Sequence, residues 1–191
     1  LHSLRRRQRQ MCIRDSLYPK RKHPYIQFLN YVRYVISNMG FKEFKGPHVE
    51  SELWNFDVLF VPQYHPSRRP TDVYFVKNED VYVDVPEDVL ARVKVIHERI
   101  LRYRWDKTKA LRPILRTHTT PVSMRTIYKL KEGEYMVFSL DRVFRPDTPD
   151  STHLMEFHQL EGIIVGKNVR FKHLLGFFKE FAKRLGLGDV K

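Results

Sequence analysis

Apolar positions between residues 25 and 39 recur every three or four residues: Tyr25, Phe28, Leu29, Val32, Val35, Ile36 and Met39 fall on one side of a helix. Pro24 opens that helix and Gly40 closes it. The segment Gly40-Phe41-Lys42-Glu43-Phe44-Lys45-Gly46-Pro47-His48-Val49-Glu50 follows. Pro47 forces an extended entry there, and the short apolar residues predict an edge strand. Trp54-Asn55-Phe56-Asp57 and the proline-rich residues 61–70 read as loop with anchoring aromatics, before a strand at 73–76. A second helix begins near Pro86 and turns Val89, Val93, Ile96 and Ile100 inward. Its outer face carries Arg92, Lys94, Arg99, Arg102 and Arg104, which reads as a solvated face, with RNA contact as the alternative.

The pattern sharpens in the second half. Thr120 followed by Pro121 predicts an N-cap and a first-turn proline, opening a helix through Met124, Ile127 and Tyr128 that ends before Gly133. A helix N-terminus beside Thr119 favours an anion, although threonine also caps helices for their own sake. Residues 135–145 and 153–165 predict two long strands of an antiparallel hairpin, joined by Pro146-Asp147-Thr148-Pro149-Asp150-Ser151-Thr152. Alternation places His153, Phe157, Gln159, Glu161, Ile163 and Val165 on one face. Gln159 and Glu161 are acceptors in mid-strand, so donors must meet them: an internal arginine, or the ammonium group of a ligand. Arg142 and Arg145, three apart, take opposite faces, and Arg145 at the loop mouth suits an incoming anion unless Asp147 or Asp150 pairs with it.

Composition narrows the class. A chain of 191 residues with 42% hydrophobic, 30% charged and 13% aromatic residues is globular, not disordered or collagen-like. No run of roughly 18 apolar residues predicts a membrane helix, and no secretory core opens the chain, so a soluble cytoplasmic protein is expected. One cysteine, Cys12, precludes an internal disulfide, and the nine histidines show no zinc spacing. The net charge of +13 suggests nucleic acid or a phosphorylated ligand, but residues 1–22 hold eight Lys/Arg against the single acid Asp15, so +7 lies there. Residues 1–16 have no structural period; they read as a leader foreign to the natural protein, with an RNA-binding arm or an Arg-rich transit peptide as alternatives.

Taken together, several motifs carry a resemblance. Residues 40–50 with Trp54-Asn55-Phe56-Asp57, then Leu115-Arg116-Thr117-His118-Thr119-Thr120, then Arg142-Val143-Phe144-Arg145, then Asp150, Thr152 and His153, then Glu156-Phe157-His158-Gln159-Leu160-Glu161-Gly162 stand in order. Over residues 17–191 the chain resembles the phenylalanyl-tRNA synthetase alpha-subunit family, in its archaeal and eukaryotic cytosolic form.

The resemblance implies an α+β class II synthetase catalytic fold, an antiparallel sheet flanked by helices, truncated before the third class motif. It implies Pro47 at a subunit interface. Arg145 would hold the ATP α-phosphate, with His153 near the outer phosphates, Phe157 stacked on adenine, and Asp147 in the place of a usual glutamate. His118, Thr119 and Thr120 would line the amino-acid pocket, and Gln159 and Glu161 would receive the phenylalanine ammonium. The implied substrates are phenylalanine, ATP and tRNA(Phe). The implied partner is a beta subunit in an alpha2beta2 heterotetramer. Mg2+ would find its ligand beyond Lys191, and without that part the isolated fragment would be inactive.

Two other readings remain. A phosphoseryl-tRNA synthetase would need donors where Gln159 and Glu161 offer acceptors, and a non-catalytic RNA-binding or assembly paralogue would not need the whole residue set. Deleting residues 1–16 is expected to leave the thermal unfolding midpoint unchanged; a fall of more than about 4 °C, near 1 kcal/mol for a chain of this size, would show that they pack on the core.

Overall fold

The computed structural model describes residues 22–77, 81 and 83–188, so the basic leader lies outside the described residues. The order is α1 (Pro24–Asn38), β1 (Lys42–Glu43), β2 (Val49–Ser51), α2 (Glu52–Asn55), α3 (Glu87–Leu101), α4 (Lys107–Ala110), β3 (Pro113–Leu115), α5 (Thr120–Leu130), β4 (Tyr135–Phe144), β5 (Glu156–Val165) and α6 (Phe171–Leu185). Single 3-10 turns stand at Asp57–Leu59 and Pro66–Arg68.

α1 begins where the periodicity put it: Pro24 enters the first turn and the His23 ring accepts the Tyr25 N–H. Leu29, Val32 and Ile36 pack with Phe41, Phe138 and Leu140, and Phe177 and Phe181 of α6 close over them. The buried stripe is narrower than the sequence stripe, since Tyr25 and Phe28 remain exposed. β4 and β5 form the long antiparallel hairpin, in a register that sets Ser139 opposite Glu161, Asp141 opposite Gln159 and Val143 opposite Phe157.

Several expectations change. The sheet is mixed, because β1 runs parallel to β4 at its other edge. The predicted edge strand divides at Gly46 and Pro47, and its second half, β2, pairs with β3 in a separate two-stranded sheet. The strand expected at 73–76 reduces to a bridge between Phe75 and Ile114. His153 precedes β5, so strand alternation does not govern it. In α3 the inward positions are Val89, Leu90 and His97. Ile100 falls in the last turn, where the chain reverses at Arg102 with φ 54°, and is exposed.

His97 can be buried because both ring nitrogens are answered. The Asp57 carbonyl, an acceptor, lies 2.7 Å from Nε2, so Nε2 carries the proton and Nδ1 accepts from the Tyr103 hydroxyl at 2.7 Å. Beside it Arg68, also buried, pairs with Glu52 and Asp57, each at 3.0 Å. Burial pushes both carboxyls up, partly offset by Arg68 and, at Glu52, by Arg112. The proline-rich loop is therefore held by a buried arginine as much as by its aromatics.

α5 is set against β2 by Arg125, whose Nε and Nη2 reach the two carboxylate oxygens of buried Glu50 at 2.7 and 2.8 Å. It also presses close to Gly46, where an added Cβ would stand 2.7 Å from Val122 Cγ2. Gly46→Ala is expected to destabilise the chain by about 1–3 kcal/mol through overpacking. A second change, Val122→Ala, should recover part of that loss; denaturant unfolding of the single and double variants checks it, and a neutral Gly46→Ala contradicts the packing.

Candidate functional site

The site is assembled on one short segment, residues 115–119, caught between two others. Leu115 ends β3. The Arg116 N–H donates to the His48 carbonyl, and the Arg116 carbonyl accepts from Phe144 N–H, each at 3.0 Å. The chain thus leaves the small sheet and runs past the end of β4 before entering α5. Next along, the Thr117 N–H donates to Asn55 Oδ1 at 3.2 Å, and Asn55 Nδ2 donates to Thr117 Oγ1 at 2.9 Å.

The α5 entry corrects the capping expectation. Thr119, not Thr120, is the N-cap residue, and its side chain makes no capping bond. The hydroxyls turn instead toward β5. Thr120 donates to Glu161 Oε2 at 2.7 Å, Ser123 to Glu161 Oε1 at 2.6 Å, and Thr119 to Oε2 at 3.5 Å. The main-chain N–H of Thr119 donates to Gln159 Oε1 at 3.3 Å. The donors expected opposite Gln159 and Glu161 are therefore three hydroxyls and one amide. Among the described residues no arginine fills the role, and Glu161 Oε1, which has one donor, keeps a lone pair for a further one.

At the other end of the same β5 face, Arg145 and Phe157 come together, with the guanidinium carbon 5.2 Å from the ring centroid. Arg145 Nε donates to the Thr117 carbonyl at 3.1 Å. Among the described residues neither of its Nη groups has a protein hydrogen bond, and neither Asp147 nor Asp150 pairs with it. Arg142 lies on the opposite face and pairs with Glu156 at 3.0 Å, as the alternation required.

His118 lies beside this face with its ring nearly edge-on to Phe56 at 6.4 Å, and its Nδ1 is buried without a partner. Burial lowers its pKa; Glu161 opposes that shift and Arg145 adds to it, so the ring is neutral near pH 7. A neutral imidazole with a free nitrogen can accept or donate one hydrogen bond to a ligand.

Three residues stand apart. His153 sits in the exposed loop after β4, where its Nδ1 is 3.0 Å from the Asp150 carboxylate. The Asp150 pKa is lowered to about 2 by the N–H of Thr152, then by His153. Asp147 is exposed in the same loop, and Pro47 is exposed on the far side of Arg116. A cavity of about 640 Å³ opens on the opposite face of the sheet, between β5 and α6. Of the candidate residues only Glu161 borders it, and its walls are mostly apolar, with Phe41, Leu160, Ile164 and Phe177, while Arg170 at the entry to α6 contributes a cation.

Sequence reasoning missed Ser123, Asn55, Thr117 and Arg116. Ser123 was signalled by its spacing, one helical turn after Thr120. Asn55 stands in a motif that carries the resemblance, but spacing gives it no role, because its partner is 62 residues away.

Comparison with known proteins supplies the class. Residues 11–191 match the family described as tRNA synthetases class II core domain (F), and the chain belongs to that family. Two chains of pyrrolysyl-tRNA synthetase from Desulfitobacterium hafniense share the fold. The better aligned has a TM-score of 0.62 at 13% identity, over 96% of this chain and 55% of that one.

Within the class, the relatives are more particular. The "Phenylalanine--tRNA ligase alpha subunit" of Pyrobaculum aerophilum is 47% identical over 169 residues, 88% of this chain and 35% of that protein. The protein of the same name from Methanocaldococcus jannaschii is 46% identical over 181 residues, 92% of this chain and 37% of its own. A "Probable phenylalanine--tRNA ligase alpha subunit" from Encephalitozoon cuniculi is 44% identical over 179 residues, 88% of this chain and 38% of that protein. The chain spans a little over a third of the curated relatives it matches.

Proposed function

We propose that this chain is catalytic core of a phenylalanine-tRNA ligase alpha subunit, activating phenylalanine with ATP for transfer to tRNA(Phe). The observation that carries the reading is the division of one β5 face into two chemically distinct ends. Arg145 and Phe157 offer a cation with free N–H groups and an aromatic ring, suited to a phosphate and a base. Gln159 and Glu161, backed by Thr119, Thr120 and Ser123, offer acceptors suited to an ammonium group. The four residue steps from Phe157 to Glu161 separate those ends by roughly 13 Å along the strand, which gives room for the nucleotide and amino-acid ends of one aminoacyl adenylate. The relatives' names support phenylalanine as the amino acid.

In this reading the phenylalanine carboxylate oxygen attacks the ATP α-phosphorus in line. A carboxyl–phosphate bond forms, the bond to the bridging oxygen breaks, and pyrophosphate leaves with its electron pair. Arg145 meets the charge that grows on the α-phosphoryl oxygens, while Gln159 and Glu161 hold the ammonium so that the carboxylate points along the strand. The ribose 2′-hydroxyl of the tRNA end then displaces AMP from the carbonyl. No protein nucleophile is needed. Among the described residues no cluster of three or more His, Cys, Asp or Glu could hold a metal ion. Pro47 belongs to the surface that would face a neighbouring subunit, and a beta subunit is the expected partner, within an alpha2beta2 assembly. Asp147 and His153, both exposed in the loop after β4, would reach the nucleotide once that loop folds over it.

ATP–pyrophosphate exchange by the full-length enzyme tests the division. Gln159→Ala and Glu161→Ala are expected to raise the KM for phenylalanine far more than that for ATP, since a contact to a charged group contributes about 1.5–3 kcal/mol. Arg145→Lys keeps the charge but loses the planar fork, and should lower kcat about a hundredfold with little change in phenylalanine binding. Arg142→Lys should leave turnover per folded molecule near normal. Equal losses from the two arginine substitutions would move the phosphate contact off Arg145.

A further inference from the structure

We propose that Asn55 is a positioning residue for adenylate formation: its carboxamide fixes Thr117, whose carbonyl in turn sets the plane of the Arg145 guanidinium. The inference rests on the reading of Arg145 as the α-phosphate ligand.

Asn55 closes α2 and is fully buried. Its orientation is unambiguous, because the Thr117 N–H can only donate and so faces Oδ1, which leaves Nδ2 for Thr117 Oγ1. Both bonds go to a single residue, and they hold its peptide and side chain at once. The Thr117 carbonyl then accepts from Arg145 Nε at 3.1 Å. Arg145 stands one residue past the end of β4, where its N–H still bonds the Met155 carbonyl at 3.0 Å but no residue is paired directly opposite it in the ladder. Two contacts define its plane instead: Thr117 along the Nε edge, and the Phe157 ring 5.2 Å from the guanidinium carbon. With Nε engaged, both Nη groups are turned to the remaining side, where a phosphate could take two of their hydrogens.

The chemistry asks for this residue type. Leucine at position 55 has the same branched outline but answers neither group, and aspartate would accept from both while adding a buried charge near Arg145. The clamp is also separable from its surroundings. Arg116 is held by its own bonds to His48 and Phe144, and Thr119 by Gln159 and Glu161. Losing the clamp therefore frees Thr117 while leaving the ammonium-binding end of the face in place. A misdirected guanidinium lowers the rate of the step in which charge develops, without weakening the amino acid's own contacts.

The test is ATP–pyrophosphate exchange by the full-length enzyme with its partner subunit, with the folded fraction measured by thermal unfolding. Asn55→Leu is expected to lower kcat about tenfold per folded molecule while the KM for phenylalanine stays within about twofold. Combined with Arg145→Lys, it should lower kcat by less than about twofold beyond Arg145→Lys alone, because both changes remove the same directed contact. If Asn55→Leu does not fold, Thr117→Val decides. It breaks one of the two clamp bonds, keeps the carbonyl, and should give the same split at about threefold, again absent beside Arg145→Lys. Unchanged kcat, a rise in phenylalanine KM matching the fall in kcat, or a full multiplicative loss with Arg145→Lys would overturn the role of Asn55. A neutral Arg145→Lys would overturn the reading of Arg145 itself, and is distinguishable on that ground.

Discussion

A buried guanidinium surrounded by main-chain carbonyls is the constraint on which the site depends. Arg116 is fully buried, and its Nε donates to the Arg142 carbonyl at 2.8 Å while Nη1 reaches the carbonyls of Gly46 and Pro47 at 3.2 and 3.3 Å. Nη2 pairs with Asp141 at 2.7 Å. Burial pushes the Asp141 carboxyl up, but the hydrogen bond from Arg116 and the N–H of Arg142 outweigh it and hold the group below the usual carboxylate range. One side chain thus joins the segment around Pro47, the outgoing strand of the hairpin, and the segment that carries His118, Thr119 and Thr120. Such a charge is tolerated only when each donor is answered, because a buried cation left unpaired costs several kcal/mol.

The functional consequence is positional. Because residues 115–119 are fixed from both sides, Thr117 can offer its carbonyl to Arg145 while Thr119 and Thr120 turn their hydroxyls to Glu161. The phosphate end and the ammonium end of the β5 face are set by neighbouring residues of a single segment. Pro47, the residue expected at a subunit contact, shares the same arginine through its carbonyl. A displacement at that surface would reach the site through Arg116 rather than through the sheet.

Much of the fold could be read from the chain, and the reason is periodicity. The helices at α1 and α3 and the strands β4 and β5 declare themselves through spacing that burial then uses. The facing of Arg142 and Arg145 followed from the same alternation and holds in the structure. What periodicity does not carry is polar pairing between distant segments. His97 replaces an aliphatic on the inner side of α3 because Asp57 and Tyr103 satisfy it, and neither partner can be foreseen from spacing. Thr120 looked like a cap because Pro121 follows it, yet a carboxylate 41 residues away competes for its hydroxyl. His153 looked like strand because apolar alternation continues past it, while the Asp150 side chain folds the chain into a turn there.

Hydrogen exchange on Arg116→Met in the full-length protein tests the keystone most directly. The amides of residue 116 and Phe144 bond across the junction, to His48 and to residue 116. The account predicts that both lose protection together, by about tenfold or more, while amides of α3, such as Val93, exchange as in the parent. Unchanged protection at residue 116 and Phe144 would contradict the claim that this one side chain holds the three segments together.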